Sequence, residues 1–216
     1  MMTSQGRAMH HCMSGEDMLA DLARVPWNVA ARTYGNAHST LIGLFVAWWV
    51  SSHPGRWALE SGPASDHREP GEKASGRCDA LFCEDESACG LLEVEGSRHD
   101  HTARKIGHFF RAVYQPLASL DFAIFAVYQW SPLGRGKDRR YPPPLDPQTQ
   151  EQIVAVSMTF PAKRIIVIAL DKRRETACLP LRARNDYFSG TLCDVRGLLF
   201  QSGRKLCDQV YYQEKV

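Results

Sequence analysis

The sequence predicts an α/β fold with a mixed central sheet flanked by helices, in a core order of αβββαβ with a further helix and strand. Three observations predict it. Residues 77–96 read as two short strands around an acidic turn. DFAIFAVYQW (121–130) and RIIVIAL (164–170) are continuous apolar runs, the mark of strands covered on both faces. Each of these runs follows a stretch with helical spacing, so a meander is followed by strand–helix crossovers, which gives a mixed sheet between helices. A length of 216 residues at 44% hydrophobic suits one domain with a tail.

Taken in order, residues 1–35 form a lead and a short helix. Met18, Leu19 and Leu22 have helical spacing, and Pro26 stops the helix. Residues 36–171 form the core. Asn36 to Ser52 reads as a largely buried helix, with Leu41, Ile42, Leu44, Phe45, Val46, Trp48 and Trp49 apolar, and His53-Pro54-Gly55 ends it. His38 in this helix presents a choice between site and packing, and packing or solvent is the favoured reading. Arg56 to Ser61 is the first strand, with Glu60 near its end. GPASDHREPGEKASG (62–76) is a loop.

The hairpin follows. RCDALFC (77–83) and GLLEVEG (90–96) flank the turn Glu84-Asp85-Glu86-Ser87. Asp100 can cap a helix over 102–117, with Ile106, Phe109, Phe110 and Val113 on one face and Arg104, Lys105 and Arg111 on the other. After the strand at 121–130, SPLGRGKDRRYPPPLD (131–146) is a basic loop. Asp146-Pro147 is a helix start, a cap followed by proline at the first helical position, and that helix runs to Phe160. The strand at 164–170 closes the core. Residues 172–216 are a basic C-terminal extension, with room for a helix and a short hairpin whose order the sequence leaves open.

The hairpin carries the candidate chemistry. Side chains alternate along a strand, so Glu93 and Glu95 share a face. Two like charges there repel unless a cation or a proton lies between them. Asp79 on the partner strand is a third oxygen donor, and such donors suit Mg²⁺ or Mn²⁺. A solvent-facing acidic edge is the alternative, against which Leu91, Leu92 and Val94 mark the strand as central.

Cys78-Asp79 followed by Glu93-Val94-Glu95 resembles the PD-(D/E)XK nuclease superfamily, the restriction-endonuclease-like fold. In that family an Asp opens one strand and Glu-x-Lys closes the next. Here Glu95 stands at the Lys position, a departure shared by some active restriction enzymes. The order of elements from Asn36 to Asp171 matches the family's order as well. The resemblance implies Asp79, Glu93 and the Val94 carbonyl as metal ligands, with Glu60 as an additional acid. It implies Glu95 as ligand or water-orienting base, and Lys105 as a displaced stand-in for the missing lysine.

Charge separates along the chain. Residues 1–100 hold 8 Lys/Arg against 14 Asp/Glu, and residues 101–216 hold 18 against 10. An acidic half beside a basic half fits a metal site next to a polyanion, although solvated surface explains the same split. Arg98, Arg135, Lys137, Arg139 and Arg140 are the candidates for nucleic-acid backbone contact. Seven cysteines without a CxxC pair argue for buried thiols in a reducing compartment rather than a zinc ribbon. No leader pattern opens the chain, and Leu41–Val50 is too short to cross a bilayer, so a cytoplasmic location is expected. A second copy of the chain is a candidate partner.

The expected function is therefore Mg²⁺-dependent endonucleolytic hydrolysis of phosphodiester bonds, with DNA as the expected substrate. The alternative is an inactive nuclease-fold protein that binds nucleic acid or a protein partner. No Gly-rich phosphate loop, GxSxG elbow or HExxH motif points to another enzyme class.

Overall fold

The computed structural model describes residues 13–32, 37–60, 78–96, 106, 120–129, 145–173 and 192–212. Seven strands form a single sheet in the order β1-β2-β3-β4-β5-β6-β7. They are β1 Arg56–Glu60, β2 Ala80–Glu84, β3 Ser87–Gly96, β4 Phe122–Gln129, β5 Arg164–Arg173, β6 Leu192–Gln201 and β7 Arg204–Tyr212. The meander β1-β2-β3 is antiparallel. β4 then lies parallel to β3, and β5 parallel to β4. β6 and β7 return antiparallel. The fold is α/β with a mixed sheet, as the sequence predicts.

The central strands are apolar because both of their faces are covered. In β4, Phe122 to Val127 are all buried, and in β5 so are Ile165 to Leu170. Alternate residues feed two cores. Ile124, Ala126, Ile166 and Ile168 face the first, and Ala123, Phe125, Val167 and Ala169 face the second.

Three helices cover the first face: α1 Gly15–Leu22, α2 Trp27–Arg32 and α3 Ala37–Ser52. Ser14 caps α1 by accepting from the Asp17 N–H. In α3, Leu41, Phe45, Trp48 and Trp49 recur at helical spacing and are buried. A fourth helix, α4 Pro147–Thr159, lies on the second face with Ile153 and Val156 buried. Asp146 caps it by accepting from the Thr149 N–H at 2.8 Å, with Pro147 in its first turn.

Two elements go beyond the sequence reading. Trp27–Arg32 is helical immediately after Pro26, held by the buried Trp27, whose indole N–H donates to the Leu22 carbonyl at 3.0 Å. The extension beyond residue 171 contains a long hairpin, β6–β7, which continues the sheet and buries Val195, Leu198, Leu199 and Phe200. The helix expected at 102–117 lies outside the described residues apart from Ile106, which is helical and buried in the second core. The basic loop at 131–144 and the loop at 62–76 also lie outside them.

An aromatic group ties α3 to the meander. Trp49 packs at 5.3 Å from Phe82 and 5.5 Å from Phe122, and its indole N–H donates to the Cys83 carbonyl at 2.9 Å. Arg56 lies over the Trp49 ring at 4.1 Å and pairs with Glu84 at 3.3 Å, directly across β1–β2. With 3% of its side chain exposed, Arg56 is a desolvated charge that depends on Glu84 for its counter-charge.

Candidate functional site

The chemistry predicted for the hairpin lies where β2 and β3 part. The last β2–β3 pair on this side is Ala80 with Leu92. One residue earlier, the Asp79 N–H still donates to the Leu92 carbonyl at 3.0 Å. Beyond that point Val94 has no β2 residue opposite it in the register. Side chains take over: Asp79 Oδ2 accepts from the Val94 N–H at 2.7 Å, and His38 Nε2 approaches the Val94 carbonyl at 3.0 Å. A carbonyl can only accept, so Nε2 is assigned the hydrogen. The same Nε2 lies 3.4 Å from Asp79 Oδ2.

His38 is thus the residue that sequence reasoning set aside. It stands in the first turn of α3, and its ring closes a three-membered group with Asp79 and the Val94 backbone.

The other predicted residues are distributed as follows. Glu60 ends β1 with its backbone opposite Ala80, next to Asp79 along β2. Glu93 and Glu95 are both half-buried, and Glu93 Oε2 is inaccessible to solvent. Their neighbours Leu92 and Val94 belong to the first core and Leu91 to the second. Alternation therefore assigns Glu93 and Glu95 to the second face, and the register that pairs Ala80 with Leu92 brings Asp79 level with Glu93, while His38 reaches Asp79 from α3. Lys105, Arg98, Arg135, Lys137, Arg139 and Arg140 lie outside the described residues.

The fit to a metal can be tested on these positions. Asp79 Oδ2 and the Val94 carbonyl are hard oxygens converging on one point, the kind of donor Mg²⁺ takes. That point is taken by His38 Nε2. Among the described residues, no group of three or more His, Cys, Asp or Glu is placed to hold a metal ion. The donors match a hard cation in kind and, among the described residues, fall short in number.

No helix among the described residues is long and apolar enough to cross a membrane. No protein-family model matches the chain, and no curated protein or solved structure matches it.

Proposed function

We propose that the chain is a metal-dependent nuclease of the PD-(D/E)XK type, acting on the phosphodiester bonds of DNA. The observation that carries this reading is the convergence of Asp79 Oδ2 and the Val94 carbonyl, one residue from the half-buried Glu93. The antiparallel meander followed by a parallel strand supports it, since Asp79 stands just before the second strand and Glu93 and Glu95 stand on the third, close to the order of the resembled family. A Mg²⁺ or Mn²⁺ ion, when bound, would activate water and offset charge on the phosphate. Asp79 and Val94 would supply its first oxygens. The role of Glu93 and Glu95 is to place negative charge on the adjoining strand end.

His38 makes this reading testable. A cation between Asp79 and the Val94 carbonyl competes with the imidazole for the same point. His38→Ala should therefore bind Mn²⁺ more tightly than the parent chain in calorimetry, by about tenfold for the loss of one competing charge-assisted contact. Equal or weaker Mn²⁺ binding by the variant contradicts the proposal.

One observation favours a second reading. If the His38 contact is permanent, Asp79 is a structural cap, and the chain binds nucleic acid or a protein without cutting. In that case His38→Ala loses stability and gains no metal affinity. Plasmid or single-stranded DNA should then be retained by the chain and remain intact with Mg²⁺ or Mn²⁺.

A further inference from the structure

The two ends of the sheet differ in charge. The stretch 56–96, which carries the meander and its edge strand β1, holds 4 Lys/Arg against 10 Asp/Glu, a net −6. The hairpin at the other end, residues 192–212, holds 3 Lys/Arg against 2 Asp/Glu, a net +1. Both ends expose large apolar side chains: Trp57 and Leu59 on β1, at 41% and 42%, and Leu206 and Val210 on β7, at 51% and 50%. Apolar exposure does not distinguish the two edges, and charge does.

On β1 the apolar and acidic groups adjoin. Ala58 packs toward the first core, so alternation places Trp57 and Leu59 together on the other face. The Trp57 indole N–H donates to the Asp85 carbonyl at 2.7 Å, which fixes the ring beside the β2–β3 turn. Asp85 and Glu86 in that turn are both exposed. Arg56 does not offset them, because it is buried and already paired with Glu84. β1 pairs with β2 alone among the described strands.

A strand added at this edge meets an apolar pair beside negative charge. A segment that alternates apolar residues with Lys or Arg matches both. Its apolar side chains cover Trp57 and Leu59, while its cations are drawn to Asp85, Glu86 and the indole ring. A phosphate backbone is repelled by the same charge, and a second copy of this edge sets one acidic stretch against another. We propose that β1 is a docking edge for an extended basic segment of a partner protein, which joins the sheet as a further strand over Trp57 and Leu59. The proposal does not rest on the nuclease reading.

Fluorescence anisotropy tests it with a labelled Lys-Leu-Lys-Val-Lys-Leu-Lys peptide, beside a Glu-Leu-Glu-Val-Glu-Leu-Glu control. The parent chain should bind the basic peptide saturably and leave the acidic one free. Leu59→Asp alters an exposed position and should weaken binding about tenfold or more, although it makes the edge more acidic. Attraction to charge alone would leave that variant's binding equal or tighter. Asp85→Asn combined with Glu86→Gln should weaken binding about tenfold at low salt. Asparagine accepts the positive φ of 51° at position 85, so the turn is kept. Val210→Asp on β7 should change nothing. No binding of the basic peptide by the parent chain overturns the proposal, as does binding indifferent to Leu59→Asp or equally reduced by Val210→Asp. Labelled parent chain or single-stranded DNA that binds more tightly than the peptide, and is lost in Leu59→Asp, assigns the edge to that occupant and overturns the proposal as well.

Discussion

At the scale of single residues, the most informative is Asp79. From sequence, three acids on adjoining strands suggest mutual repulsion, so that removing one should leave stability unchanged or raise it. The structure gives Asp79 a different balance. Its carboxylate accepts a backbone N–H at 2.7 Å that has no strand partner on that side, and an imidazole lies beside it. Asp79→Ala should therefore cost about 1–3 kcal/mol, the range for leaving a half-buried donor unsatisfied. Asp79→Asn should cost less, because its amide oxygen can still accept from Val94. Urea denaturation of the two variants checks the order. Arg56 is the second such residue. Its guanidinium is almost wholly buried against Glu84 and Trp49. Glu84→Gln removes the counter-charge and leaves this cation uncompensated, at a cost of about 3–5 kcal/mol in the same measurement. The sequence offered no sign of either balance, since an isolated Arg before a Trp reads as surface.

At the scale of elements, legibility followed burial. β4 and β5 were legible because both faces are covered and their central residues are apolar. α4 was legible because Asp146-Pro147 states its own start. The β6–β7 hairpin was legible only as a short hairpin of open position. LCDVRGLLFQ and RKLCDQVYY carry charge in their interiors, and only the structure shows how it is accommodated: Arg196 and Asp208 stand on adjacent strands and bind each other. The bond from Arg196 holds the Asp208 carboxyl down at about 2, assisted by Lys205. A carboxylate whose folded pKa lies below its unfolded value of about 3.9 stabilises the fold above that value. The contribution is lost as pH falls from about 4 to about 2. Asp208→Asn should remove this part of the acid dependence and leave neutral-pH stability lowered by no more than about 1 kcal/mol, the range for an exposed pair. Thermal melts at pH 2 to 5 check it. In β3, Gly90 leaves room for the Phe122 ring, since an added Cβ would lie 2.2 Å from Cζ. The ring is wedged against Phe82 and Trp49 and cannot yield freely. Gly90→Ala should cost about 1–3 kcal/mol by overpacking, read from the same urea curves.

At the scale of the whole molecule, the sheet explains why a site is expected at one place. Strands β1 to β3 run as a meander, and the direction changes from antiparallel to parallel at β3, where the acids stand. That order was legible, because hydrophobic runs and turn signals are local. The contact of His38 with Asp79 and the Val94 carbonyl was not, because it joins a strand end to a histidine 41 positions earlier in the chain. The proposed nuclease function requires Asp79, Glu93 and Glu95 to act on one phosphodiester. The most direct test is cleavage of supercoiled plasmid by the full chain with Mg²⁺ or Mn²⁺, beside folded Asp79→Asn and Glu93→Gln variants. The expected result is nicked or linear product from the parent chain, lost on chelation and reduced at least about a hundredfold in each variant. Intact plasmid from the parent chain with both metals would contradict the proposal, as would cleavage that survives both substitutions.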